Sequence, residues 1–206
     1  MSDKKKYSIL CLGDSYTIGE GVPLHENFPY QLVQLLRKNK HHVHAPEIIA
    51  KTGWTTFELA EQILHTAFNE PYDFVTLLIG VNNQYRGLSA EEYKDDFEFL
   101  LKKAIHFAGG NAGHVIVLSI PDWGVTPFAA ERDAAQIAKE IDDFNEVNTS
   151  VALQHHCHYI NITDETRKAK DDTSLLTADK LHYSAKEHAV WAALAAAVME
   201  GVIKYK

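Results

Sequence analysis

The chain has 206 residues, of which 46% are hydrophobic and 23% charged, and its net charge is −8. That balance excludes a disordered chain, a collagen-like repeat and a small disulfide scaffold. The negative field also disfavours nucleic acid, whose phosphate backbone it repels, and the length is that of one domain over residues 1–206.

Tyr7 to Leu12 is a short apolar run closed by Gly13, a strand signal. The basic residues Lys4, Lys5 and Lys6 precede it, but the run is too short for a secretory leader and has no small-residue cleavage site. No stretch approaches ~18 apolar residues, so no integral membrane segment is expected, and the expected location is cytoplasmic. Asn27 to Lys38 carries Phe28, Leu32, Leu35 and Leu36 at helical spacing, with Pro29 in the first turn. Val43 to Ala50 reads as a weaker strand near an edge, because Pro46 interrupts it. Trp54 to Phe68 reads as a helix with Phe57, Ala60, Ile63, Leu64 and Ala67 as its apolar stripe.

Phe74 to Ile79 is a continuous apolar run, as in a strand covered on both faces. Ser89 and Glu92 have capping-box spacing, and the helix behind them presents Tyr93, Phe97, Leu100, Leu101 and Ala104. Val115 to Ile120 is a buried strand stopped by Pro121, followed by a helix from about Ala129 to Gln154 and a strand from Cys157 to Ile162. Ser184 and Glu187 suggest a second capping box opening an alanine-rich helix through Val198. Five strands alternating with helices specify an α/β fold: a three-layer α/β/α domain around a five-stranded parallel sheet. The expected arrangement is flavodoxin-like, strand order 2-1-3-4-5, with ligands beyond the carboxyl ends of the strands.

Chemistry-bearing residues gather at that rim. Gly13-Asp14-Ser15 follows the first strand, Gly53 the second, and Asn82 the third, while Asp179-Lys180-Leu181-His182 precedes the last helix. These are the parts of an acyl-transfer site. Ser15 is a candidate nucleophile that needs a base to take its proton. His182 is the fitting base, since imidazole titrates near neutral pH. Asp179, about one helical turn earlier, is placed to share a face with it and orient the ring. The backbone N–H groups of Ser15 and Gly53 and the side-chain amide of Asn82 are candidate donors to a developing oxyanion. Glycine at 53 would let the backbone approach the substrate closely.

In these four blocks the sequence resembles the GDSL/SGNH hydrolase family of lipases and esterases. The resemblance spans almost the whole chain. It implies Ser15 as nucleophile, Asp179 and His182 as the rest of a triad, and Gly53 and Asn82 completing the oxyanion hole. It also implies a flavodoxin-like sheet, no metal or organic cofactor, and a small-molecule acyl ester as substrate. The family's substrates leave ester, thioester and sugar acetate open. Tyr16 stands where the family name has leucine, Asn83 where an aspartate usually follows the asparagine, and Tyr183 where many members have proline.

Tyr16, Tyr85, Arg86, Trp123, Val125, Phe128 and Tyr183 are candidate pocket residues, since each follows a motif or strand end on the same rim. The competing reading is a non-catalytic flavodoxin-like binding module. It leaves Asn82, Asp179 and His182 without a role, and Asp14 and Glu20 would repel a phosphate. His41, His42 and His44, and His155, His156 and His158, flank strand starts at the opposite rim, and solvated histidines are the expectation for both clusters. Cys11 and Cys157 sit in apolar runs and read as buried thiols. Oligomeric state is not legible in the sequence.

Overall fold

The structure is a computed structural model that describes residues 5–204. Its main sheet has strands β1 (Ile9–Asp14), β2 (Glu47–Lys51), β3 (Phe74–Leu78), β4 (Val115–Leu118) and β5 (His158–Ile160). All pair in parallel, in the order β2-β1-β3-β4-β5, which is the expected topology. Every residue of β1, β3 and β4 is buried, so their sequences are mainly apolar, with Asp14 closing β1 and Thr76 inside β3, whereas the edge strands β2 and β5 are only partly covered. The expected strand from Val43 to Ala50 is split. His42–Val43 pairs with Lys6–Tyr7 in a two-stranded extension, and Glu47–Lys51 joins the main sheet. Pro46, which has no N–H to give to a ladder, lies between the two pieces.

The helices are α1 (Ser15–Ile18), α2 (Phe28–Lys38), α3 (Thr56–Leu64), α4 (Val81–Tyr85), α5 (Ala90–Phe107), α6 (Ala134–Gln154), α7 (Thr163–Thr166) and α8 (Ala185–Lys204). α2 packs on α8, while α5 packs on α3 and α6, so helices cover both faces of the sheet. The Ser89–Glu92 capping box closes, with Glu92 accepting the Ser89 N–H at 2.9 Å. The one read at Ser184 does not: Ser184 Oγ donates to the Ser174 carbonyl, and the Glu187 carboxylate accepts the Trp191 indole N–H. A box missed in the sequence sits at α3, where Glu58 accepts the Thr55 N–H at 2.8 Å.

α3 is also turned relative to its expected stripe. Thr56, Leu59 and Ile63 face inward, while Phe57 and Leu64 are 67% and 64% exposed. The helix ends at Leu64, leaving Ala67 outside it. The anchor is Thr56, whose backbone N–H and hydroxyl both bond the side chain of buried Asn83.

Gly13, near the end of β1, is a steric requirement. A Cβ there would lie 2.1 Å from Thr17 Oγ1 and 2.4 Å from the Leu78 carbonyl oxygen. The second contact is backbone of the neighbouring strand and cannot rotate away. Gly13→Ala is therefore expected to cost about 1–3 kcal/mol of stability, read as a lower urea midpoint at unchanged m-value.

Cys11 and Cys157 are free and buried. Burial pushes their thiols up to about 12 and about 11, so neither behaves as a nucleophile near neutral pH. Among the described residues no helix is long and apolar enough to cross a membrane, and no group of three or more His, Cys, Asp or Glu is arranged to hold a metal ion.

Candidate active site

The carboxyl end of β1 passes directly into α1, so the chain reverses at Asp14 and Ser15. Asp14 caps the short helix: its Oδ1 accepts the Tyr16 N–H at 3.0 Å. The Asp14 carboxyl is fully enclosed, and burial raises it to about 7, against the opposing bond from the Tyr16 N–H. Ser15 opens α1 and is buried at 5% exposure.

His182 and Asp179 lie outside any helix, contrary to the helical spacing expected for them. They meet because the loop folds around the carboxylate. Asp179 Oδ1 accepts the N–H groups of Leu181 and His182 at 2.9 and 3.0 Å, and the Thr177 hydroxyl at 2.7 Å. Asp179 Oδ2 is then 2.6 Å from His182 Nδ1. Partial burial works against the charged carboxylate. The bonds from His182, Thr177 and the two backbone N–H groups outweigh it and hold the carboxyl below the usual range.

Ser15 and His182 line one cavity of about 180 Å³, together with Asn82. One N–H of the Asn82 amide donates to the Trp54 carbonyl at 2.9 Å, which orients the amide and leaves its second donor uncommitted among the described residues. The neighbouring Asn83 supplies the anchor that an aspartate was expected to give. It bonds the Thr56 backbone and hydroxyl at 3.1 and 2.7 Å, tying α4 to the start of α3.

Gly53 is not among the residues lining the cavity. It is the third residue of a turn in which the Trp54 N–H bonds the Lys51 carbonyl at 3.2 Å, and its φ is +83°. A Cβ there would meet no protein atom within 4 Å, so the backbone conformation, rather than crowding, accounts for the glycine. Arg86 also stands off the cavity, contrary to expectation. Its guanidinium bridges the Gly53 carbonyl and Glu58, and so braces that turn.

The remaining walls are mostly aromatic: Tyr16, Tyr85, Trp123 and Phe128. The Trp123 indole N–H donates to Gln84 Oε1 at 2.7 Å, and Gln84 in turn donates to Glu140. Tyr85 and Phe128 meet the Trp123 ring edge-on at 5.2 and 6.1 Å. Two expected pocket residues lie elsewhere. Val125 does not line the cavity, and Tyr183 is fully buried with its hydroxyl donating to the Asp122 carbonyl at 2.9 Å. Val81 and Leu181 line it and were not anticipated. Their only sequence signal is adjacency, beside Asn82 and His182 respectively. A larger groove, about 410 Å³, lies against α6 and the end of β5 and contains none of these residues.

The model of the GDSL-like lipase/acylhydrolase family matches residues 11–190. No curated protein sequence matches. Among solved structures, a lipase/acylhydrolase from Enterococcus faecalis superposes with a TM-score of 0.71 at 21% identity, covering 95% of this chain and 96% of that one. The psychrotrophic esterase EstA from Pseudoalteromonas gives 0.71 at 15% identity, with 96% and 99% covered. A mutant of Axe2, an acetyl-xylooligosaccharide esterase from Geobacillus, gives 0.72 at 18% identity, with 97% and 96% covered. At such identities these likenesses speak to the fold. The family match, running from the first strand of the main sheet into the last helix, makes the chain a member of the GDSL-like lipase/acylhydrolase family of hydrolases.

Proposed function

We propose that the chain is a serine esterase in which Ser15, His182 and Asp179 act as a triad. The observation that carries this reading is the 2.6 Å pairing of His182 Nδ1 with Asp179 on a loop whose imidazole shares a cavity with Ser15. Ser15 Oγ attacks the ester carbonyl while its proton passes to His182 Nε2. The Asp179 carboxylate accepts from Nδ1–H, which holds the reactive tautomer and stabilises the imidazolium. The carbonyl oxygen, now an oxyanion, takes hydrogen bonds from the Ser15 N–H and the Asn82 amide, both of residues lining the cavity; Gly53, which does not line it, is a third donor by family resemblance alone. Each such donor is typically worth ~2.7–4 kcal/mol of barrier. The C–O bond to the leaving group breaks as His182 returns the proton to the departing alcohol. Water, deprotonated by His182, then attacks the acyl-enzyme and releases the acid and free Ser15.

A short acyl group fits a cavity of about 180 Å³, below the ~300–1,000 Å³ of sites for drug-sized ligands. Esters, thioesters and sugar acetates all satisfy the chemistry. The direct test is labelling with a fluorophosphonate, followed by mass spectrometry of the adduct. Modification at Ser15, suppressed in His182→Ala, is the expected result. An intact protein that takes no label, or takes it at another serine, would sink the assignment.

A further inference from the structure

Resting on the esterase reading, we infer that the Tyr16 hydroxyl is a specificity group for the leaving alcohol, selecting esters whose alcohol carries a second oxygen close to the ester bond. Tyr16 is 3% exposed and lines the cavity. Its backbone N–H bonds Asp14, but its phenolic oxygen has no hydrogen-bond partner among the described residues. Among the described residues, the buried side-chain oxygens that are sealed in without a partner are Asp14 Oδ2, Thr17 Oγ1 and Asn148 Oδ1. The Tyr16 oxygen is not one of these. The open space that Tyr16 borders is the cavity.

A buried hydroxyl left unpaired costs free energy that a bound polar group recovers. The other polar groups around the cavity are engaged, belong to the reaction or are open to solvent. The Trp123 N–H is held by Gln84, and Ser15, Asn82 and His182 are reserved for the reaction. Tyr85 is 49% exposed, so its side chain is open to solvent. Val81, Leu181 and Phe128 are apolar. A ligand that brings a polar atom into the cavity therefore finds its natural partner in Tyr16.

The side of the ester follows from His182. The Tyr16 and His182 rings are in contact, with centroids 5.5 Å apart. The leaving oxygen must come to the imidazole to be protonated, so the alcohol, rather than the acyl chain, occupies the flank that Tyr16 shares with His182. The favoured class is the short-chain ester of a polyhydroxy alcohol.

Two substrate pairs of matched size test this. 2-Hydroxyethyl acetate and propyl acetate differ by a hydroxyl for a methyl on the alcohol. Methyl methoxyacetate and methyl butanoate differ by an oxygen for a methylene on the acyl chain. The readout is the ratio of kcat/KM within each pair, compared between wild type and Tyr16→Phe, so that intrinsic reactivity cancels. The alcohol-side ratio is expected to fall about fivefold or more in Tyr16→Phe, with the acyl-side ratio unchanged. Tyr16→Leu is a second variant with the same expected direction, and thermal midpoints check that both fold. An unchanged alcohol-side ratio, or a loss confined to the acyl-side ratio, would overturn the assignment of Tyr16 while Ser15→Ala stays inactive. Hydrolysis persisting in Ser15→Ala would instead overturn the esterase reading, and this inference with it.

Discussion

His182→Ala is expected to lower kcat on a p-nitrophenyl acetate by about ten-thousand-fold or more, with little change in KM. Without the imidazole, neither the Ser15 hydroxyl nor the water that must later attack the acyl-enzyme has a group to take its proton. Ser15→Ala is expected to fall to a similar floor, and the double variant no further, because residues that act as one unit do not add. Steady-state rates of the three variants measure this. A His182→Ala enzyme within tenfold of wild type, or losses that multiply in the double variant, would contradict the shared role. Because the Asp179 carboxyl is held below its ordinary range, it stays charged across working pH and does not set the acid limb of the rate profile.

The second large effect concerns stability and comes from Asp14. Its carboxyl, raised to about 7 by burial against an ordinary value of 3.8, keeps its proton in the native state where the unfolded chain has already lost it. Stability from this group is fully present below about pH 4 and is lost as pH rises towards 7 and just beyond. The difference amounts to about 4 kcal/mol. Buried His188 acts in the opposite direction. Burial lowers it to about 3, so it stays neutral in the fold, and its contribution fades as pH falls below the ordinary imidazole value of 6.5. Between about pH 4 and 6.5 the two slopes oppose each other and the wild-type profile is comparatively flat.

Asp14→Asn removes one of the two. Urea unfolding at pH 4.5, 6.0 and 7.5 should show the wild type losing ground to this variant as pH rises, by about 3 kcal/mol across that range. A difference that does not vary with pH would show that Asp14 ionises in the fold as freely as in water. The physical interest is that this carboxyl caps α1, the helix that presents Ser15. Its carbonyl oxygen can accept the Tyr16 N–H in either protonation state.

How much of this was legible beforehand differs from one level to the next. Local chemistry announced the β strands, because a strand covered on both faces must be mainly apolar, as β1, β3 and β4 are apart from Asp14 and Thr76. Strand order followed from right-handed crossovers, which need no contact information. Ser15, Asn82 and His182 were legible because each adjoins the end of an element whose place at the rim was already implied, and all three line one cavity. The weak points were helix rotation and loop direction. Phe57 and Leu64 looked like core and are exposed, because Thr56 is pinned by Asn83, 27 residues away.

The residue sequence by itself therefore determined the sheet, the layers and the chemical types at the rim, since all of these depend on periodicity and on groups within a few positions of one another. Tertiary structure alone decided which side chains become walls. Arg86 leaves the cavity because Glu58 and the Gly53 carbonyl claim its guanidinium, and Tyr183 turns inward to reach the Asp122 carbonyl, 61 residues away in the chain. The direction of a loop side chain is set by whichever distant partner pairs its polar group, and that partner acquires its place only when the chain has folded.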